Sequence, residues 1–80
     1  MDEITQKIEE FVTEHKRPRE GYVIMQHGRP WAWTRDIKKH DASKVMPGNV
    51  AYAIENPRDQ WEALGGNDED GAELWAPLPQ

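Results

Sequence analysis

Residues 21–34, Gly-Tyr-Val-Ile-Met-Gln-His-Gly-Arg-Pro-Trp-Ala-Trp-Thr, constrain the fold of this chain more than any other stretch. Residues 21–26 form a β-branched and aromatic run, and residues 30–34 place two tryptophans two positions apart. Between them, His27-Gly28-Arg29 supplies a glycine where a tight turn demands positive φ, so the stretch reads as a β-hairpin. Strand side chains alternate between faces, which sends Tyr22 and Ile24 one way and Val23 and Met25 the other. A strand apolar on both sides is usually central or sandwiched. The same alternation puts Trp31 and Trp33 on one side and Ala32 on the other. Pro30, without an N–H, suits a strand start or an edge.

A chain of 80 residues is one domain, taken here as residues 1–80, and lies near the lower size limit for unaided folding. It has no cysteine, so neither a disulfide nor a thiolate zinc site can staple it. Only 36% of its residues are hydrophobic, which leaves a thin core resting on four tryptophans and makes a homodimer one expected route to further burial. No stretch approaches the ~20 apolar residues that cross a bilayer, so no membrane partner is expected. The acidic start, Met1-Asp2-Glu3-Ile4, lacks the basic and apolar regions of a secretory signal, and the expected compartment is the cytoplasm.

Around the hairpin the remaining elements follow from periodicity. Ile4, Ile8, Phe11 and Val12 form one stripe at helical spacing, predicting an amphipathic helix over residues 2–15. Asp2 is placed to cap it, Glu3 and Lys7 to pair, and Pro18 to end it. Residues 35–46 read as a loop with a short helix, for which residues 36–40 and residues 41–46, the latter capped by Asp41, are both candidates, and residues 50–54 read as a strand. Asn56 as N-cap, Pro57 at the first position and Gly65 past the end predict a second short helix over residues 56–65, with Trp61 and Leu64 inward. Residues 72–78 read as the last strand, with Leu74 and Trp75 on opposite faces and Pro77 and Pro79 ending it. The expectation is an α+β fold, order α-β-β-(short α)-β-α-β. It has a mainly antiparallel sheet of about four strands packed by the N-terminal helix and the short second one.

The net charge of −5 is segregated along the chain. Residues 1–15 carry a net −4, residues 16–44 a net +5 and residues 45–80 a net −6. The basic middle comprises Lys16, Arg17, Arg19, Arg29, Arg35, Lys38, Lys39 and Lys44. With tryptophans interleaved it raises nucleic-acid binding through Lys38, Lys39, Lys44 and the hairpin arginines. Against that reading stand the acidic overall balance and the lack of helix-turn-helix spacing, zinc ligands or an RNP-like motif. A related alternative is an acidic mimic of nucleic acid, built on the carboxylates of residues 55–73.

Chemistry-bearing constellations are sparse. Asn67-Asp68-Glu69-Asp70-Gly71 has contiguous acids and no later bidentate glutamate at EF-hand spacing, so it reads as a solvated turn and no metal is expected. His15, His27 and His40 do not cluster in sequence. His40-Asp41 with Ser43 offers triad residue types, but a triad is made by convergence in space, not adjacency. Gly65-Gly66 does not open a phosphate-binding helix, so no cofactor is expected.

Two readings stay open for Trp31 and Trp33: core beneath the first helix, or, with Arg29 and Arg35 beside them, a contact surface. Asp68, Glu69 and Asp70 are the candidates for a second contact. In size, tryptophan density and charge segregation the chain resembles, in style, the small accessory proteins of bacteriophages and other mobile elements. That resemblance implies a non-enzymatic inhibitor or adaptor that acts by direct contact with a larger protein.

Overall fold

The computed structural model describes residues 3–56 and 58–78. Its elements are helix α1 (Glu3–Glu14), strands β1 (Tyr22–Gln26) and β2 (Arg29–Thr34), a single 3-10 turn at Ala42–Lys44, and strands β3 (Val50–Ala53), β4 (Gln60–Leu64) and β5 (Leu74–Pro77). The strands form one sheet in the order β2-β1-β3-β4-β5, every pair antiparallel. The α+β class is as expected, but the sheet has five strands instead of about four.

Each face of the sheet owns a core. On one side Val23 and Met25 of β1 pack with Ile54 and the α1 residues Ile8 and Val12, with Ile4, Phe11, Trp33 and Tyr52 around them. On the other side Ile24 packs with Ala51, Ala63 and Ala72 and with Ile37, Ala42 and Val45 from the connection between β2 and β3. The two-faced pattern of β1 is thus met by a helix on one side and a loop on the other. Small alanines on β3 and β4 let that loop lie close to the sheet.

Local signals explain the element boundaries. The α1 stripe holds, and Glu3 pairs with Lys7 at 3.2 Å. After Glu14 the helix closes with Lys16 N–H donating to Thr13 O and Arg17 N–H to Val12 O, while Lys16 takes φ 54°. This is the Schellman ending, with a lysine where glycine is the usual choice. The β1–β2 turn has two residues, His27 at φ 53° and Gly28 at φ 77°, the double positive φ of a type I′ turn. Between Ile24 and Met25 the register slips, because Ile24 pairs with Ala32 and Met25 with Pro30. Trp31 is therefore the extra residue of a β-bulge. The cap assigned to Asp2, the helix start assigned to Pro57 and the stop assigned to Pro79 fall on residues outside those described.

The expected second helix is absent, and residues 60–64 are strand β4 instead. Asn56 does punctuate the chain, but its side-chain oxygen accepts from Arg58 N–H at 3.3 Å and its carbonyl from Asp59 N–H at 2.9 Å, which is a turn and not a helix start. The same residue types serve both motifs. What decides between them is the open edge of β3, to which Gln60, Trp61 and Glu62 pair against Tyr52, Ala51 and Val50. A helix with only Trp61 and Leu64 inward would leave that edge unpaired. The short helix expected within residues 35–46 is reduced to the 3-10 turn, held by Asp41 accepting from Ser43 N–H at 2.9 Å.

Candidate contact surface

The four indoles sort themselves by hydrogen bonding. Trp33 Nε1 donates to Glu20 O at 3.0 Å, Trp61 Nε1 to Asp59 Oδ1 at 3.1 Å and Trp75 Nε1 to His40 O at 3.1 Å. Trp31 Nε1 donates to no other described residue, and Trp31 is 47% exposed. The bulge accounts for this. It breaks the alternation between the two hairpin indoles, so Trp33 joins the helix-side core while Trp31 joins neither core. The expectation that the pair shares one face fails for that reason.

Trp33 is the centre of a structural stack. The Arg17 and Arg35 guanidinium carbons lie 5.5 and 5.7 Å from its ring centroid, and Arg35 also forms an ion pair with Glu20. These contacts tie the α1–β1 linker to the base of β2. Arg35 is thereby separated from Arg29, six positions and roughly 20 Å along the strand. The proposed four-residue cluster divides into Trp33 with Arg35 at the hairpin base and Trp31 with Arg29 near its tip.

Near the tip two shallow grooves meet. One, of about 470 Å³, is lined by Gln26, His27, Arg29, Pro30 and Trp31. The other, of about 370 Å³, lies between β2 and the helix residues Glu10, Phe11, Glu14 and His15. Arg29 and Pro30 line both and form the ridge between them. Lys7 secures this end of the sheet by donating to Gly28 O at 2.8 Å.

Asp68, Glu69 and Asp70 lie in the β4–β5 connection, at the opposite edge of the sheet from Trp31. Asn67 organises the loop, its side-chain oxygen accepting from Glu69 N–H at 2.9 Å and Asp70 N–H at 2.7 Å. Lys38, Lys39 and Lys44 are exposed on the layer that covers the other face, with Lys38 Nζ 5.7 Å from the Trp61 ring centroid. They do not share a surface with Arg29, which lies beside the helix. Among the described residues no group of three or more histidines and carboxylates is arranged to hold a metal ion. No helix of the described residues is long and apolar enough to cross a membrane.

Two further arrangements were not foreseen from the sequence. Tyr22 Oη donates to Asp59 Oδ2 at 3.2 Å, so Asp59 clamps β1 to Trp61 of β4. Burial, and then the neighbouring Asp59 charge, push the Tyr22 hydroxyl pKa up. His40 lies edge-on to Trp75 with a buried Nε2 that has no hydrogen-bond partner among the described residues. Burial holds the His40 imidazole below its usual pKa, Lys44 adds to the effect and Asp41 opposes it. Leu64 and Leu74 were also missed as surface residues. They are a cross-strand pair at 40% and 50% exposure, and the helix assignment had turned Leu64 inward.

No protein-family model, curated protein or solved structure matches the chain.

Proposed function

We propose that this chain is a non-enzymatic protein-binding module of inhibitor or adaptor type, which grips a larger protein with Trp31 and Arg29 at the tip of the β1–β2 hairpin. The observation that carries the reading is Trp31 itself. It is the one indole without an internal hydrogen bond among the described residues, and a bulge turns it out of both cores. An exposed tryptophan beside an arginine is the usual anchor of a protein contact.

The grip is by side chains, not by strand addition. Arg29 and Gln26 flank the two-residue turn as a hydrogen-bonded pair, so Pro30, next along, faces its missing donor outward. Leu78 N–H donates to Gln60 O, which likewise turns the nitrogen of Pro77 to the outer edge of β5. Both sheet edges therefore carry a gap where a pairing strand needs a donor. Protein is favoured over nucleic acid because Arg17, Arg19 and Arg35 are already committed to Trp33, Glu9 and Glu20.

The test is affinity capture from the native host with the wild type and Trp31→Ala, Arg29→Ala and Trp33→Ala variants, each checked for folding by circular dichroism. The expected result is a retained protein that is lost with Trp31→Ala and weakened with Arg29→Ala. Retention unchanged by Trp31→Ala in a folded variant refutes the proposal.

A further inference from the structure

Helix α1 covers only half of its side of the sheet. A helix is about 10–12 Å across, whereas five strands at ~4.8 Å spacing span roughly 19 Å between the outer pair. The helix lies over β1 and β2 and reaches Tyr52 of β3. Beyond it, on the same face, alternation presents Val50 of β3, Gln60, Glu62 and Leu64 of β4, and Leu74 and Ala76 of β5. Their neighbours Trp61, Ala63 and Trp75 belong to the opposite core, which fixes the assignment of faces. Val50, Glu62 and Ala76 form one cross-strand row and Leu64 with Leu74 the next. The result is an apolar ledge, one helix wide, with a single carboxylate in its middle. No cation among the described residues pairs with Glu62. The loop that leaves Leu64 and returns to Leu74 adds Asp68, Glu69, Asp70 and Glu73.

We infer that this ledge is a docking site for a basic amphipathic helix of another protein, lying beside α1 and completing the layer. The apolar stripe of such a helix covers Leu64, Leu74, Ala76 and Val50, and a lysine or arginine meets Glu62. Charge decides between this occupant and a second copy of the chain. Pairing two ledges sets Glu62 and its neighbouring acidic loop against their own kind, which costs affinity, whereas a basic helix neutralises both. The same carboxylates repel a phosphate backbone. This surface is distinct from the hairpin tip and stands or falls separately from it.

The probe is a synthetic 18-residue helical peptide with leucines at i, i+3, i+4 and i+7 spacing and lysines elsewhere. It is titrated into the full-length, isotope-labelled chain and followed by amide chemical shifts. Expected are saturable shifts centred on Glu62, Leu64, Leu74 and Ala76. Leu64→Ser/Leu74→Ser should weaken binding about tenfold or more, as for loss of an anchor. Glu62→Gln should weaken it severalfold and flatten its salt dependence, and Trp31→Ala should leave it unchanged. Equal binding of a scrambled peptide with no apolar stripe, or of one with glutamate in place of lysine, overturns the inference. So do shifts confined to the hairpin tip, or sedimentation showing that the ledge residues close a homodimer. Both leucines are exposed, so the variants are expected to fold, and Glu62→Gln gives an independent reading if they do not.

Discussion

Gly71 and Gly28 both have positive φ, 83° and 77°, but different surroundings, and the contrast predicts very different costs for the same substitution. A Cβ on Gly28 meets nothing within 4 Å, so Gly28→Ala incurs only the left-handed penalty of about 1–2 kcal/mol. A Cβ on Gly71 falls 1.9 Å from the carbonyl oxygen of Ser43, a backbone atom that cannot rotate away. Relief requires the Ser43 turn to retreat from the sheet. That puts at risk the bonds from Ala72 N–H to Val45 O at 3.0 Å and to Ala42 O at 3.2 Å, each worth about 1 kcal/mol. With the same conformational penalty added, Gly71→Ala should cost about 3–5 kcal/mol. A domain of this size is stable by roughly 4–12 kcal/mol, so that loss is a large share of the total. Thermal melts by circular dichroism report it directly. At roughly 4–8 °C per kcal/mol, Gly28→Ala should lower Tm by about 4–16 °C and Gly71→Ala by more than about 12 °C, or abolish the transition. Equal shifts for the two variants would refute the packing of the 35–49 loop against the β4–β5 connection.

Other perturbations test other parts of the structure. Lys16→Gly should raise stability by about 1 kcal/mol in urea denaturation, because glycine takes the left-handed position of the Schellman ending without strain. Trp33→Ala should cost about 2–4 kcal/mol, since it removes core area and the bond to Glu20, while Trp31→Ala should stay within about 0.5 kcal/mol of the wild type. His40 predicts acid sensitivity. Its folded-state pKa is depressed, so the unfolded chain binds the proton more readily, and stability present above the ordinary histidine pKa is lost as pH falls from there through the folded value. His40→Gln should flatten that part of a stability-against-pH curve, and an unchanged slope would place the titration elsewhere.

The hairpin, the N-terminal helix and the last strand were legible because each carries a local signal with one interpretation. Residues 22–25 are an unbroken apolar run followed by a glycine turn at Gly28, and Ile4, Ile8, Phe11 and Val12 recur at helical spacing. Residues 56–65 were misread because asparagine–proline followed later by glycine serves a turn as well as a helix. The information that selects the turn is the unpaired edge of β3, which is not local to those residues. The bulge at Trp31 was hidden in the same way, since a one-residue slip between β1 and β2 depends on how Pro30 fits against Met25. It is the bulge that separates Trp31 from Trp33, so the sequence could nominate the two indoles but not divide their roles. The Leu64–Leu74 ledge became visible only once residues 60–64 were placed as a strand.

Trp31 alone among the four tryptophans has an indole N–H that bonds to no described residue, the condition on which the proposed partner contact rests, and hydrogen exchange of the four indole N–H groups tests that condition most directly. Proton–nitrogen spectra should show three indole signals protected by their bonds to Glu20, Asp59 and His40, and one in rapid exchange that disappears in Trp31→Phe. A protected Trp31 signal, or rapid exchange at a different indole, would contradict the account.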